Sequence, residues 1–422
     1  MTLQVLFLCL LIVLLVALRQ NVIVILLAAA GYVHMVWGEG RLTYLAEDLW
    51  ISLDNGILLA IPMFLLAGSI MTRGAIARRL IGIATAATSG LPGGLAVAAI
   101  VSCAIFSAIS GSSPVTMLAV GGIMYPALLA AGYSKKFSLG ALTSGGTLGI
   151  VIPPSIPLIL YGIVTENSIA DLFVAGVIPG LLIALVLAIY SYWVNRWMPA
   201  QSFSWMRLLD AMRGGLWALF LPIVLLGGIY SGYFSATESA AVSLVYALIV
   251  ETCIHRELKL RDFYGIAVET ATLLGMLFPI VAVALSIKTI LTIEQVPDQL
   301  ALWISDVTSS KLGFLLALNA VLLLVGCVFD AMSAILILAP LLIVPAMAFG
   351  IDPIHLGIIM VINLEIGFLT PPVGLNLIVA MTAFKERFLL ICQAVLPFIG
   401  MILAVLMLIT FVPALSLFLI SR

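Results

Sequence analysis

Apolar residues run along this chain in blocks of about 15 to 30 positions, and the short breaks between the blocks hold most of the polar residues. A hydrocarbon layer about 30 Å thick needs roughly 20 apolar residues per helical crossing, so the blocks read as transmembrane helices. Barrel strands would instead alternate in polarity over about 10 residues, and these blocks do not. The expected crossings cover about residues 3–18, 21–38, 50–72, 136–165, 171–195, 216–235, 237–254, 264–290, 353–384 and 388–418. Met1 to Leu18 has no basic start and Arg19 follows it, so it reads as a crossing rather than an export signal. A stretch over 202–217 sets Arg207, Asp210 and Arg213 on one side and Met206, Leu209 and Met212 on another, the pattern of a helix lying in the interface.

Two further apolar regions, 92–131 and 312–349, fit poorly as one crossing each. Each is interrupted near its middle, at Ser110-Gly-Ser-Ser-Pro114 and at Phe329-Asp-Ala-Met-Ser333. Either each region is a pair of full crossings, or it is a re-entrant hairpin whose tip stops inside the membrane. Basic residues collect on the cytoplasmic side. With both termini in the periplasm, Arg19, Arg73, Arg78, Arg79, Lys135, Lys136, Arg196, the basic residues from Arg207 to Arg261, Lys385 and Arg387 fall inside, while Arg41, Lys311 and Arg422 fall outside. Both readings keep that parity, so charge fixes orientation and not depth. Arms of about 15 to 17 residues are short for a crossing, which favours hairpins.

The chain also repeats itself. Gly149-Ile-Val-Ile-Pro-Pro-Ser155 matches Gly367-Phe-Leu-Thr-Pro-Pro-Val373 at an offset of 218, as Gly132 matches Gly350, and nearby offsets pair Pro62 with Pro279 and Ser69 with Ser286. The expected fold is an all-α polytopic membrane protein of two inverted-topology repeats. Each has three helices, a re-entrant helical hairpin, a Pro-Pro-broken helix and a final helix, the plan of alternating-access carriers. The expected division is scaffold over 1–91, transport domain over 92–195, an interfacial connector over 196–215, scaffold over 216–311 and transport domain over 312–422.

Composition agrees with a membrane chain. Apolar residues make up 64% and charged residues 9%, against roughly 45–50% and about 25% in soluble domains. The net charge of -1 points to no nucleic acid. Five cysteines are scattered within apolar runs and read as packing residues, and His34, His255 and His355 lie too far apart for a zinc site. With no P-loop and no histidine in the segments facing Ser110 or Ser112, no enzyme is expected.

The candidate chemistry sits at the breaks. Proline removes an amide and repels the carbonyl one turn back, so both Pro-Pro pairs free carbonyl oxygens where lipid cannot satisfy them. Sodium takes oxygen ligands, and the Ser110–Ser113 and Asp330–Ser333 tips could complete such shells. The alternative is two kinked helices whose carbonyls bond neighbouring hydroxyls. Asp330 and Glu365 each need a cation, a proton or a static salt bridge, with Lys288 as a possible partner. Asn376 offers a donor and an acceptor one turn after the second break. Helices resuming after a break point free amides into the site, which favours an anionic group.

Ser110-Gly-Ser-Ser-Pro114, Gly145-Gly-Thr-Leu-Gly-Ile-Val-Ile-Pro-Pro-Ser155, Ala236-Thr-Glu-Ser-Ala-Ala241 and Gly367-Phe-Leu-Thr-Pro-Pro-Val-Gly-Leu-Asn376 together resemble the large membrane subunit of tripartite ATP-independent periplasmic (TRAP) transporters, over essentially the whole chain. The resemblance implies sodium-coupled uptake of a small organic acid, such as a C4-dicarboxylate, a sugar acid or sialic acid, across the inner membrane by an elevator mechanism. It implies two partners, a small four-helix membrane subunit (Q-type) and a periplasmic substrate-binding protein (P-type). It places sodium (Na+) at Ser110, Ser112 and Ser113 with Gly149 and Pro153, and at Asp330 and Ser333 with Gly367 and Thr370. The expected substrate contacts are Ser113, Gly146, Thr147, Pro154, Pro372 and Asn376.

Overall fold

The computed structural model describes residues 3–18, 20–38, 40–308 and 310–420. Arg19 and Arg422, used above for orientation, lie outside the described residues, as does the Cys9 side chain. The first half runs α1 (Leu3–Ala17), α2 (Val22–Trp37), α3 (Leu42–Leu53), α4 (Ala60–Arg73), α5 (Ile76–Thr88), α6 (Gly94–Ser110), α7 (Ser113–Ala130), α8 (Lys135–Gly146), α9 (Leu148–Val151), α10 (Ile156–Thr165) and α11 (Ile169–Asn195). The second runs α12 (Trp205–Tyr230), α13 (Ala236–Ile249), α14 (Leu260–Ile293), α15 (Val296–Val307), α16 (Lys311–Gly326), α17 (Ala331–Ala348), α18 (Pro353–Phe368), α19 (Leu375–Phe384) and α20 (Phe388–Phe411). Among the described residues, nine helical stretches are long and apolar enough to cross a membrane.

Helices begin where the sequence supplies an acceptor for their free amides. Ser204, Ser235, Ser310, Asp330 and Asp352 cap α12, α13, α16, α17 and α18, and Glu238 closes a capping box with Ser235. The 218-residue spacing holds for whole elements. It separates both ends of α7 and α17 (331 − 113 and 348 − 130) and the starts of α8 and α18 (353 − 135). The first half departs from its counterpart before α4. Where α14 is continuous, Asn55 accepts the Ile57 amide (3.0 Å) and ends the helical run between α3 and α4.

Three expectations change. The stretch 50–72 is not one helix, because α3 ends at Leu53 and the next helical turn starts at Gly56. The interfacial helix over 202–217 is not a separate element. It forms the opening turns of α12, which runs unbroken to Tyr230, so a boundary at 215 falls inside a helix. Polar residues also hid α5 and α15, which at 13 and 12 residues are too short to cross. The arms α6, α7, α16 and α17 have 17, 18, 16 and 18 residues.

Packing is continuous through the bundle, since α5 also lies on α6 and α15 on α17. α4 packs on α13, α5 on α12, and α14 on α2, α3 and α4, while α6 packs on α11, α8 on α20 and α18 on both α16 and α20. The repeats interlock, since α7 lies against α19 and α10 against α17. Arg73 at the end of α4 pairs with Glu269, and Arg78 in the first turn of α5 pairs with Glu257. Glu251, fully buried, accepts the Ala75 and Ile76 amides (3.0 and 2.8 Å) and so caps α5 from another helix.

Candidate functional site

Each Pro-Pro pair meets the turn of its own hairpin. Pro153 and Pro154 carry no N–H, so the Gly149 and Ile150 carbonyls lose their helical partners. The chain leaves α9 in an extended conformation at Ile152, and the Ile156 amide donates to the Gly111 carbonyl in the first turn (3.4 Å). The second break mirrors this, with the Val373 amide donating to the Cys327 carbonyl (3.3 Å). Both proline pairs are joined by cis peptide bonds.

The approach depends on glycine. A Cβ on Gly149 would run into the Ser112 carbonyl and come within 2.6 Å of the Thr116 hydroxyl. One on Gly367 would run into the Gly326 backbone at the end of α16. Hydroxyls take some of the freed or neighbouring carbonyls: Ser155 donates to Ile150 (2.5 Å) and Thr370 to Ile366 (2.8 Å). The two halves differ in access. Pro153 and Pro154 are buried, whereas Pro371, Pro372 and Val373 are exposed.

Ser110 and Ser112 stand at the first turn as expected. The Ser110 hydroxyl shares a hydrogen with Thr116 (2.5 Å) and reaches the Ser112 carbonyl (3.3 Å). Asp330 and Ser333 stand at the second turn, where Asp330 accepts from the Ser333 amide (3.0 Å) and hydroxyl (2.6 Å). Asp330 is thus the N-cap of α17 and only partly buried, with its carboxylate partnered by an amide and a hydroxyl within its own turn.

Ser113 goes elsewhere. Its hydroxyl points across to the second repeat, donating to Glu365 on α18 (2.9 Å) and accepting from Asn376 on α19 (2.6 Å). Asn376 also reaches the same Glu365 oxygen (3.4 Å). The salt bridge considered for Glu365 does not form, because Lys288 pairs with Glu166 (2.8 Å). Gly146 lies against Met117, and the Thr147 hydroxyl returns to the Ser144 carbonyl in its own helix (2.5 Å), so neither presents a free polar group.

Sequence reasoning missed a second buried network, in which Asn363 donates to the Asn319 side chain (2.7 Å), which donates to Thr410 (3.5 Å). The signal was an asparagine in each of two apolar helices. It also missed the meeting of His34, Asp48 and Ser286. His34 Nε2 lies 2.8 Å from the Ser286 hydroxyl, while Asp48 approaches that same nitrogen at 3.7 Å. A nucleophile relay needs the carboxylate on the opposite ring nitrogen, and Nδ1 has no partner, so the cluster joins α2, α3 and α14 rather than activating the serine.

Outside the spans, the hydrogen bond from Lys288 holds the Glu166 carboxyl below its ordinary range, and the one from Lys135 does the same for Glu386. A cavity of about 410 Å³ lies between Tyr133, Lys136, Tyr190 and Met198, away from both breaks.

The model of the family described as "Tripartite ATP-independent periplasmic transporter, DctM component" matches residues 8–415. The C4-dicarboxylate TRAP transporter large permease protein DctM of Pseudomonas aeruginosa is 44% identical over 376 residues, 88% of each chain. The ectoine TRAP transporter large permease protein TeaC of Halomonas elongata is 38% identical over 393 residues, 92% of each chain. The isethionate TRAP transporter permease protein DctMQ of Oleidesulfovibrio alaskensis is 40% identical over 385 residues, which are 90% of this chain and 61% of that one. Among solved structures, the YdaH transporter of Alcanivorax borkumensis shares the fold with a TM-score of 0.66, at 13% identity and 90% coverage of both chains.

Proposed function

Because this chain belongs to the DctM component family of tripartite ATP-independent periplasmic transporters, we propose that it is the large permease of a system that takes up a small organic anion on a sodium gradient. The carrying observation is the mirrored pair of hairpin turns and Pro-Pro breaks, each closed by one amide-to-carbonyl bond and one glycine contact. Oxygen-rich turns of this kind suit a hard monovalent cation, and the amides of α10 and α19 suit an anionic group between them.

In this reading the first turn with Gly149 and Pro153 holds one sodium ion, and the second turn with Gly367 and Thr370 another. The hairpins and broken helices, α6–α11 with α16–α20, move as one body against a frame of the remaining helices. The hairpins stop within an inner membrane, with both termini periplasmic. C4-dicarboxylates are the first substrates to try, since three of the related permeases carry that name. A small membrane subunit and a periplasmic binding protein complete the system.

Reconstitution into liposomes with those two partners tests the reading. Saturable uptake that requires the binding protein and an inward sodium gradient supports it. Conductance without saturation would make the protein a channel, and uptake without partners would make it a stand-alone carrier.

A further inference from the structure

The buried group at the crossing of the two repeats is left with more acceptors than donors. Glu365, Asn376 and Ser113 are each no more than 1% exposed. Ser113 spends its hydrogen on Glu365 Oε1, and the Asn376 amide nitrogen lies on Ser113 Oγ and Glu365 Oε1. Two oxygens then remain with no partner, Glu365 Oε2 and Asn376 Oδ1. Turning the Asn376 amide over would set its oxygen against Oε1, which in this arrangement accepts from both Ser113 and Asn376. Among the described residues no basic side chain pairs with Glu365, while Lys288 pairs with Glu166, Lys135 with Glu386 and Lys311 with the Gly350 carbonyl. A carboxyl oxygen and an amide oxygen, both buried and without a donor, are the beginnings of a shell for a hard cation.

The arrangement occurs once. At the 218-residue offset Glu365 corresponds to Thr147 (365 − 218) and Asn376 to Leu158 (376 − 218), neither of which carries a charge. It differs from both turns in drawing its ligands from both repeats, Ser113 at the start of α7 in one and α18 and α19 in the other.

We propose that Glu365, Asn376 and Ser113 form a third monovalent-cation site, filled by sodium and bridging the first hairpin to the second broken helix. The proposal rests on the sodium-driven reading above for its ion. Occupied, the site neutralises the carboxylate and ties the two repeats together, so the loaded body moves without carrying an unpaired buried charge.

The test is sodium binding to the purified permease with its small subunit, by equilibrium binding of radioactive sodium, alongside sodium-dependent uptake in liposomes. Glu365→Gln keeps the shape and gives the orphaned oxygen's position a donor, and Asn376→Ser keeps the fold with one ligand fewer. The expected result is loss of one bound sodium and a Hill coefficient lower by about one in Glu365→Gln, with half-saturating sodium raised at least about tenfold in Asn376→Ser. Asp330→Ala should leave the Glu365-dependent ion in place. Unchanged binding and Hill coefficient in Glu365→Gln would overturn the site, as would a variant whose pH dependence alone changes, which would make Glu365 a proton carrier. If uptake proved independent of sodium while a Glu365-dependent sodium ion still bound, the site would stand and the sodium-symport reading would fall.

Discussion

At the scale of single residues, the absence of a side chain matters as much as any ligand. Gly149 and Gly367 let a broken helix touch the backbone of a hairpin turn, and an added methyl has nowhere to go because the opposing atoms are main chain. Gly149→Ala and Gly367→Ala should each cost about 1–3 kcal/mol and abolish uptake. The control is Gly82→Ala on the exposed side of α5, where nothing lies within 4 Å. It should gain roughly 0.5–1 kcal/mol in thermal unfolding and transport normally. Asp330 caps α17, and under the proposed function it also serves a sodium ion. Asp330→Ala should lose about 0.5–2 kcal/mol of capping as well as sodium affinity. Asp330→Asn retains an acceptor for the Ser333 amide, so it should unfold like the parent while its half-saturating sodium rises. Equal sodium curves for parent and Asp330→Asn would confine Asp330 to the cap.

At the scale of elements, α5 carries the chain from α4 into the first hairpin, and its start is fixed by a group from elsewhere. The Glu251 carboxylate takes the Ala75 and Ile76 amides in a fully buried setting, which no capping residue in the local sequence provides. Glu251→Gln offers one oxygen for two amides and should destabilise by about 1–3 kcal/mol, with faster hydrogen exchange at Ala75 and Ile76. Slow exchange at both amides in the variant would mean that α5 holds its own start. The periodicity of α5 was present in the sequence, with Ile76, Leu80, Ile81, Ile83 and Ala84 on its buried side, but Arg78 and Arg79 made the segment look like a polar loop. By contrast, the breaks in α8–α10 and α18–α19 were visible at once, because Pro-Pro cannot continue a helix in any context.

At the scale of the molecule, the proposed movement of the hairpins against the remaining helices can be tested where they touch. Gly68 on α4 faces the first turn, where a Cβ would lie 3.4 Å from the Ser110 Cα. Oxidising a Gly68→Cys, Ser110→Cys pair should abolish whatever uptake the reduced pair retains, and a reductant should return uptake to that reduced level. Full uptake by the cross-linked protein would exclude movement of the first hairpin against α4. Lys135 at the start of α8 meets Glu386 in the α19–α20 loop at 2.7 Å. The pair holds the Glu386 carboxyl below its ordinary 4.5, so its contribution is complete above that pH and is lost as pH falls through the lowered value. Solvent limits it to within about 1 kcal/mol. Thermal unfolding of Glu386→Gln should therefore lie slightly below the parent at pH 7 and converge with it in acid. The sequence by itself determined the membrane class, the helical breaks, the 218-residue repeat and the family, because hydrophobic length, proline chemistry and motif order are local properties of the chain. Only the tertiary structure decided that Ser113 serves the opposite repeat, that Asp330 is a cap and that Glu365 has an oxygen to spare. Those facts depend on which helices lie side by side, and packing brings together residues as far apart as 113 and 365, beyond the reach of any sequence pattern.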